Sequence, residues 1–158
     1  MTLILSLCNK EHAVQISDRR LSSNGRLVDD ESNKCGVIFC LDARMAFGYT
    51  GLAKWKGFIT SAWLLKSLHD SATPDFTIGK TLERLKINAT EEFKNNPQLK
   101  KISPEHKRLA VMFSGFLNLG GETKVGNAIL SNYHNFENNT SYNKLSTSTC
   151  QNQLSTRW

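Results

Sequence analysis

Thr2 directly follows the initiator methionine. If Met1 is removed, this residue carries both a side-chain hydroxyl and the free amine of the chain. Threonine is small enough at the second position for Met1 to be removed, and removal would leave a free α-amine. Such an amine has a pKa of about 7.7 to 8.0 and can act as a base near neutral pH. Thr2 can therefore supply both a nucleophile and its base, which is a recognised way of activating a hydroxyl group.

A predicted hairpin at the start of the chain brings an acid towards this threonine. Residues 2–8 are apolar, and residues 12–17 alternate as a half-buried strand does. If the turn is centred on Lys10, paired residues have numbers that add up to 20. Thr2 then lies opposite Asp18, and directly opposed residues of an antiparallel pair lie within about 5.5 Å of each other.

Lys34 is the candidate cation for the same site. It ends a polar segment, 18–34, which contains the hairpin-turn signal Asn24-Gly25 and a short returning strand at 26–28. An ammonium group near the amine of Thr2 would lower the pKa of that amine and stabilise negative charge on the hydroxyl oxygen. The three groups together would form a site for acyl transfer.

The rest of the chain must hold these residues in place, and its hydrophobic period changes from strand to helix and back. The predicted elements are a second hairpin of 36–41 and 44–49, a helix from Gly51 with its apolar face running to Leu65, a helix from Thr77 that ends at Asn95-Asn96-Pro97, and strands at 108–116 and 124–130. This order predicts an α+β fold, with helices packed on largely antiparallel sheets.

Length and composition favour one compact domain, which we place at 1–137, followed by a polar and disordered tail at 138–158. The four cysteines lack the spacing of a zinc site, so we expect no metal and no cofactor. The apolar N-terminus is too short to span a membrane, and we expect a cytoplasmic protein with no membrane contact. The net charge is +6, but the lysines and arginines are scattered among acidic residues, which argues against a nucleic-acid partner.

The chain resembles the proteasome β-subunit and its bacterial relatives, which are N-terminal-nucleophile hydrolases. The resemblance is carried by Thr2, Asp18-Arg19-Arg20, Lys34 and Gly48-Tyr49-Thr50-Gly51, and by the intervals from the threonine to the aspartate and the lysine. It covers residues 2–70 well and 105–131 through the pattern of strands. It implies a layered fold in which two sheets lie between two layers of helices, in the order αββα, incomplete at the C-terminus.

The resemblance also implies a role for each residue of the candidate site. Thr2 would attack a scissile peptide or amide carbonyl, Lys34 would tune this nucleophile, and Asp18 would orient Lys34. Arg20 would support the polar loop, and the backbone N–H of Gly51 would donate to the oxyanion, helped by the positive end of a following helix. Family members form rings of identical subunits, so the resemblance implies a ring-shaped homo-oligomer.

Other interpretations compete with catalysis. Taken one at a time, Thr2 can simply start a strand, Asp18 can cap a turn, Lys34 can be solvated and Gly51 can relieve a bend. The Ser and Asp groups that support the amine in the family have no counterpart in this short chain, which favours a catalytically inactive or truncated member with a structural or assembly role. A third alternative is nucleic-acid binding through the basic balance, which a salt-dependent gel shift would detect.

Overall fold

The computed structural model describes residues 3–23, 26–29, 32–103, 106–132 and 146–151, and its centre is a five-stranded antiparallel sheet. The strands are β1 (Ile4–Cys8), β2 (Ala13–Ser17), β3 (Leu21–Ser23), β4 (Arg26–Asp29), β5 (Cys35–Phe39), β6 (Ala43–Gly51), β7 (Lys54–Trp55), β8 (Phe58–Ile59), β9 (Leu109–Leu119), β10 (Glu122–Ser131) and β11 (Ser146–Gln151). The central sheet has the order β11-β10-β9-β6-β5, and β1–β2, β3–β4 and β7–β8 are separate two-stranded hairpins.

Two α-helices, α1 (Thr60–Ala72) and α2 (Ile78–Asn95), cover one face of the central sheet, and a short 3-10 helix follows at Leu99–Lys101. The prediction of α2 is confirmed, including its start after Thr77 and its end before Asn96-Pro97. The carboxylate of Asp42, in the turn between β5 and β6, accepts the N–H of Ile78 at 2.8 Å and satisfies one of the free donors of the first turn.

The hydrophobic core lies between these helices and the inward face of the sheet. Alternate residues of β6 point towards the helices, because successive side chains of a strand leave on opposite faces. The buried core residues of β6 are Ala43, Met45, Phe47 and Tyr49, and those of α2 include Leu82, Leu85, Ala89 and Phe93. Gly36 of β5 leaves room for the ring of Phe47, since a Cβ there would lie 2.6 Å from its Cζ atom.

Hairpin β1–β2 packs on the opposite face of the central sheet, and two of its polar side chains bond to β9. The hydroxyl of Ser6 donates to the hydroxyl of Ser114 on β9 at 2.6 Å. The amide of Gln15 donates to the carbonyl oxygen of Met112 at 3.3 Å. This layer therefore carries the start of the chain and holds it against the sheet.

The predicted αββα layering is wrong. The described part of the chain is mostly antiparallel strand with two α-helices, and both helices contribute to the core on one face of the central sheet. On the other side, the outward residues of hairpin β1–β2, among them Leu5 and Ile16, are exposed to solvent. The order of layers in the described part is helices, sheet and hairpin, with no helix outside the hairpin.

The predicted helix from Gly51 is wrong over its first nine residues, 51–59. Strands β7 and β8 form a tight hairpin there, with Lys56 and Gly57 at φ values of 41° and 93°. Positive φ at both central residues is the geometry of the two-residue turn that suits a hairpin. Leu52 and Phe58 are buried as the apolar stripe predicted, but they reach the core from strands and loops, and α1 begins only at Thr60.

Part of the predicted tail also differs from the expectation of disorder. Strand β11 pairs with β10 from Gly126 opposite Gln151 to Ser131 opposite Ser146. Its run of Ser and Thr offers no apolar anchor, so sequence composition did not reveal the backbone pairing that holds it. The predicted domain boundary at 137 and the rest of 138–158 lie outside the described residues.

Candidate active site

The buried side chain of Lys34 is the centre of the candidate site. Lys34 directly precedes β5 and is only 1% exposed. Its Nζ donates to Oδ1 of Asp18 at 2.8 Å and to the backbone carbonyl of Arg20 at 2.6 Å. The carbonyl of Lys34 itself accepts the N–H of Tyr49 at 3.0 Å, which fixes the backbone against β6. Lysine is almost never fully buried unless it is paired, and these contacts supply the pairing.

Asp18 follows β2 and links Lys34 to the start of the chain. While Oδ1 accepts from Lys34, Oδ2 accepts the backbone N–H of Leu3 at 3.1 Å. The N–H of Asp18 donates to the carbonyl of Leu3 at 3.3 Å. The hydrogen bond from Lys34, followed by that from Leu3, holds the pKa of the Asp18 carboxyl below its ordinary value. Asp18 is therefore an ionised, acceptor-only group at neutral pH.

Thr2 lies outside the described residues, so the first described atom of the site is the backbone nitrogen of Leu3, which is bonded to the carbonyl carbon of Thr2. The predicted register of the hairpin is wrong by one residue. The structure pairs Ile4 with Ser17 and Cys8 with Ala13, so that paired numbers add up to 21 and Leu3 comes opposite Asp18. Asp18 thus binds the peptide group that joins Thr2 to the rest of the chain.

A turn of four residues causes the shift in register. The side-chain oxygen of Asn9 accepts the N–H groups of Glu11 at 2.9 Å and His12 at 2.7 Å. The backbone N–H of Asn9 donates to the carbonyl of His12 at 2.8 Å and closes the loop. An asparagine side chain that mimics a backbone turn in this way favours the longer loop over the three-residue turn.

Arg20 contributes its backbone carbonyl to the site, because that oxygen accepts from Lys34. Its side chain is exposed. The structure thus shows a main-chain contact of Arg20 with Lys34, and the predicted support of the polar loop by Arg20 stays a prediction.

Gly51 ends β6, two residues beyond the Tyr49 amide that bonds to Lys34, and pairs with Leu109 of β9. Its φ is +102°, and a Cβ at this position would overlap the carbonyl oxygen of Arg108 and lie 2.7 Å from the carbonyl carbon. Only glycine fits this backbone. The predicted helix dipole at Gly51 is wrong, because α1 does not start there but at Thr60.

Two further groups beside the site were missed by sequence reasoning. The thiol of Cys35 donates to the hydroxyl of Ser17 at 2.8 Å, and these residues are the chain neighbours of Lys34 and Asp18. The side-chain oxygen of Gln15 is buried and has no hydrogen-bond partner among the described residues. The alternation of the second strand could have indicated this, since it places Gln15 and Ser17 on the same inward face.

The arrangement brings together a buried ammonium, an ionised carboxylate and the peptide nitrogen next to Thr2. They lie at the end of the chain where the sequence predicts an N-terminal nucleophile, and their role in acyl transfer stays a prediction. Within the described ranges, no group of three or more His, Cys, Asp or Glu side chains could hold a metal ion. No helix in the same part of the chain is long and apolar enough to cross a membrane.

Comparison of the chain with protein-family models, with curated proteins and with solved structures finds no match. The resemblance to N-terminal-nucleophile hydrolases therefore stays a prediction from the residues, and the chemistry of the site has to be judged from its geometry.

Proposed function

We propose that the chain is a threonine-type amide or peptide hydrolase whose nucleophile is Thr2, exposed by removal of Met1. The observation that supports this most directly is the double role of the Asp18 carboxylate. One of its oxygens holds the buried ammonium of Lys34, and the other holds the backbone N–H of Leu3. The two oxygens belong to one carboxylate, so the lysine and the residue after Thr2 are fixed next to each other.

The proposed reaction starts with the free α-amine of Thr2, which takes the proton of its own side-chain hydroxyl. The oxygen attacks the carbonyl carbon of the substrate amide, and the bond to the leaving nitrogen breaks as that nitrogen takes the proton. An ester between substrate and threonine remains. Water, deprotonated by the same amine, attacks the ester, releases the carboxylic acid and restores the hydroxyl. Lys34 favours the neutral amine and the anionic oxygen electrostatically.

In this proposal the N–H of Gly51 stays the donor to the oxyanion. The place that a Cβ would take at Gly51 is filled by the carbonyl group of Arg108, so the missing side chain does not by itself open a path for the substrate backbone. The donor would act without the support of a helix N-terminus, since the residues after Gly51 lead into hairpin β7–β8. We therefore expect weaker oxyanion stabilisation than a helix start would give.

The first experiment is an intact mass measurement on the purified protein, followed by labelling with a hydroxyl-directed electrophile. We expect loss of Met1 and one label on Thr2. The Thr2→Ala variant should lose both labelling and hydrolysis of fluorogenic peptides, whereas Thr73→Ala, at the exposed end of α1, should keep both. Retention of Met1, or undiminished labelling of Thr2→Ala, would rule out the mechanism.

A second experiment tests the lysine. Lys34→Met removes the buried ammonium and keeps most of the side-chain volume, and we expect kcat to fall about 100-fold, as for loss of a preorganised electrostatic group. Lys66→Met is the matched control, because Lys66 pairs with Asp70 on the exposed surface of α1. Equal kcat values for the two variants would contradict a catalytic role for Lys34.

The competing function is a catalytically inactive protein with a structural or assembly role. The late start of α1 favours it, because the oxyanion position lacks the helix dipole. It predicts a folded protein that has lost Met1 and yet neither hydrolyses peptides nor takes up the electrophile. The labelling experiment thus distinguishes the two functions.

The proposal includes a peptide or other amide substrate, action in the cytoplasm and, from the resemblance, a ring of identical chains. Free thiols at the described cysteines Cys8, Cys35 and Cys40 fit a reducing compartment. Fractionation of cells and measurement of the particle mass would test these parts separately from catalysis.

A further inference from the structure

The excess positive charge of the chain belongs to two segments that are far apart in sequence. Of the 20 Lys and Arg and the 14 Asp and Glu in the chain, residues 51–59 and 94–108 together hold seven and one. The one acid, Glu105, lies outside the described residues. The rest of the chain holds thirteen of each kind, so these two segments carry the whole net charge of +6. A local excess of one sign attracts ligands of the opposite sign.

The fold brings these two segments together. The turn of hairpin β7–β8 lies against the start of the 3-10 helix, because a Cβ on Gly57 would be 3.2 Å from Nε2 of Gln98. The N–H of Leu52 donates to the carbonyl of Arg108 at 2.6 Å and joins the start of the hairpin to the residue before β9. The exposed Lys and Arg side chains of the hairpin, the 3-10 helix and this last residue, here called the basic surface, are Lys54, Lys56, Lys100, Lys101 and Arg108.

Buried neighbours keep the lysines of the basic surface on the outside. Phe58 of the hairpin and Leu99 of the 3-10 helix are 5% and 0% exposed and belong to the core. In the part of the chain that the structure describes, none of the four lysines of the basic surface forms an ion pair, whereas Lys66, Lys80 and Lys124 each pair with a carboxylate. Their ammonium groups are therefore available to a ligand.

The basic surface suits an acidic polypeptide better than a nucleic acid. Single-stranded nucleic acids bind to exposed aromatic rings on which their bases stack. The tryptophan beside these lysines, Trp55, is half-buried, and the ammonium of Lys56 lies 5.7 Å from the centroid of its ring. Readers of a duplex place a helix or a pair of strands in the major groove, but here the basic residues come from a tight turn, one turn of 3-10 helix and the start of a strand. Carboxylates need only flexible point charges within reach, which lysines supply.

The basic surface begins next to the candidate active site. The carbonyl group of Arg108 lies against Gly51, whose N–H is the proposed donor to the oxyanion. Lys54 follows Gly51 by three residues and Lys56 by five. Their Cα atoms can therefore lie at most about 11 Å and about 18 Å from that of Gly51. An extended substrate peptide covers these distances with about as many residues of its own.

We propose that the basic surface binds an acidic stretch of the polypeptide substrate, about three to five residues from the bond that is cleaved. Contacts between its carboxylates and the lysines would hold the peptide with the scissile carbonyl at Gly51. The inference rests on the proposed function for the cleavage, but the binding does not depend on Thr2. The substrate class is thus polypeptides with several Asp or Glu residues close to the cleaved bond.

Fluorescence anisotropy with the Thr2→Ala variant tests the binding apart from catalysis. We expect fluorescein-labelled hexaglutamate to bind and labelled hexaglutamine not to bind. Adding Lys56→Glu and Lys101→Glu should weaken the binding of hexaglutamate at least about tenfold. The matched control is Lys10→Glu with Lys66→Glu, which changes the net charge equally at two exposed positions outside the basic surface. It should change the affinity less than about twofold at 0.15 M salt, where charges more than about 8 Å apart are largely screened. Circular dichroism would show that both double variants are folded.

Cleavage by the protein with Thr2 intact tests the substrate class. A fluorogenic peptide with glutamates three to five residues from the cleaved bond should have a kcat/KM about tenfold above that of its glutamine counterpart, and Lys56→Glu with Lys101→Glu should remove this preference. Equal affinity of the two double variants for hexaglutamate would overturn the proposal, as would tighter binding of a single-stranded hexanucleotide at the same lysines. Binding of hexaglutamate at the basic surface without cleavage of any peptide would refute the proposed function but confirm the binding site.

Discussion

The pair of Lys34 and Asp18 allows a quantitative test of what burial does to an ion pair. In the Asp18→Asn variant the lysine ammonium stays 1% exposed but loses its carboxylate. Whichever way the new amide is oriented, one of the two donors, Lys34 or the N–H of Leu3, faces an NH₂ group. Breaking a buried pair costs about 3–5 kcal/mol. Because Asp18 is 38% exposed, water partly replaces it, and we expect a loss of about 2–3 kcal/mol.

The exposed pair of Lys66 and Asp70 is the matched control. Its N···O distance of 2.6 Å is even shorter than the 2.8 Å of the buried pair, but its side chains are 78% and 48% exposed. Asp70→Asn should therefore leave stability almost unchanged, since surface ion pairs contribute little. If the N···O distance decided the strength of the pair, Asp70→Asn would cost more stability than Asp18→Asn. If burial decides it, Asp18→Asn costs more.

Urea unfolding followed by circular dichroism is the assay, with stability taken from the midpoint and the slope. We expect Asp18→Asn to lower the midpoint at an unchanged slope, and to lower Tm by about 4–10 °C for a domain of this size. The double variant Lys34→Met with Asp18→Asn should recover much of the loss, because no unpaired charge remains buried. Equal stability of Asp18→Asn and Asp70→Asn would refute the reasoning.

Two further predictions concern the glycine at the end of β6 and the titration of the carboxylate. Gly51→Ala should destabilise the fold by well over 1 kcal/mol, because the new Cβ would overlap the carbonyl of Arg108 at a residue with positive φ. Gly79→Ala is the control: Gly79 lies in α2 with open space around it, and the change should stabilise the fold by about 0.5–1 kcal/mol. Thermal unfolding compares the two variants. The folded pKa of Asp18 lies below its unfolded value, so its ionised form stabilises the fold above the unfolded pKa and this contribution is lost as the pH falls through the folded pKa. The stability difference between wild type and Asp18→Asn should thus shrink below about pH 4 in urea titrations, and a constant difference would show that the carboxylate does not act through its charge.

Sequence patterns predicted which segments form strands and helices better than they predicted register and layers. The apolar run 2–8 and the alternation of 12–17 indicated the hairpin, but the one-residue shift depends on the side chain of Asn9, which lengthens the turn. The apolar spacing from Leu52 to Leu65 matched a helix because buried residues of a tight hairpin and of a helix can share that spacing. The pair Lys56-Gly57 distinguishes the hairpin from a helix, because glycine at the second position permits the two-residue turn of a hairpin.

In the candidate site, too, some contacts were expected before the structure and others were not. The contact between Asp18 and Lys34 was expected only from the resemblance, and the structure shows it as an ion pair of 2.8 Å. The carbonyl of Arg20 as a partner of Lys34 was not predictable, because main-chain contacts leave no mark in the residue types. The predicted αββα layering failed for a different reason. It was carried over from the resemblance, and local patterns do not say whether a sheet face will be covered.

The joint between hairpin β1–β2 and the central sheet has a thermodynamic consequence. The inward face of the hairpin carries the polar groups of Ser6 and Gln15 beside the half-buried Ile4, Cys8 and Ala13, so its separation would bring less hydrocarbon into water than opening the core between the helices and the sheet. Such an opening has a smaller heat capacity change and a smaller dependence on urea. The hairpin can then open as a unit at a lower free energy than global unfolding, and its amide hydrogens would exchange before those of the core. Asp18 follows the hairpin, so each opening would part it from Lys34 while the rest of the molecule keeps its packing.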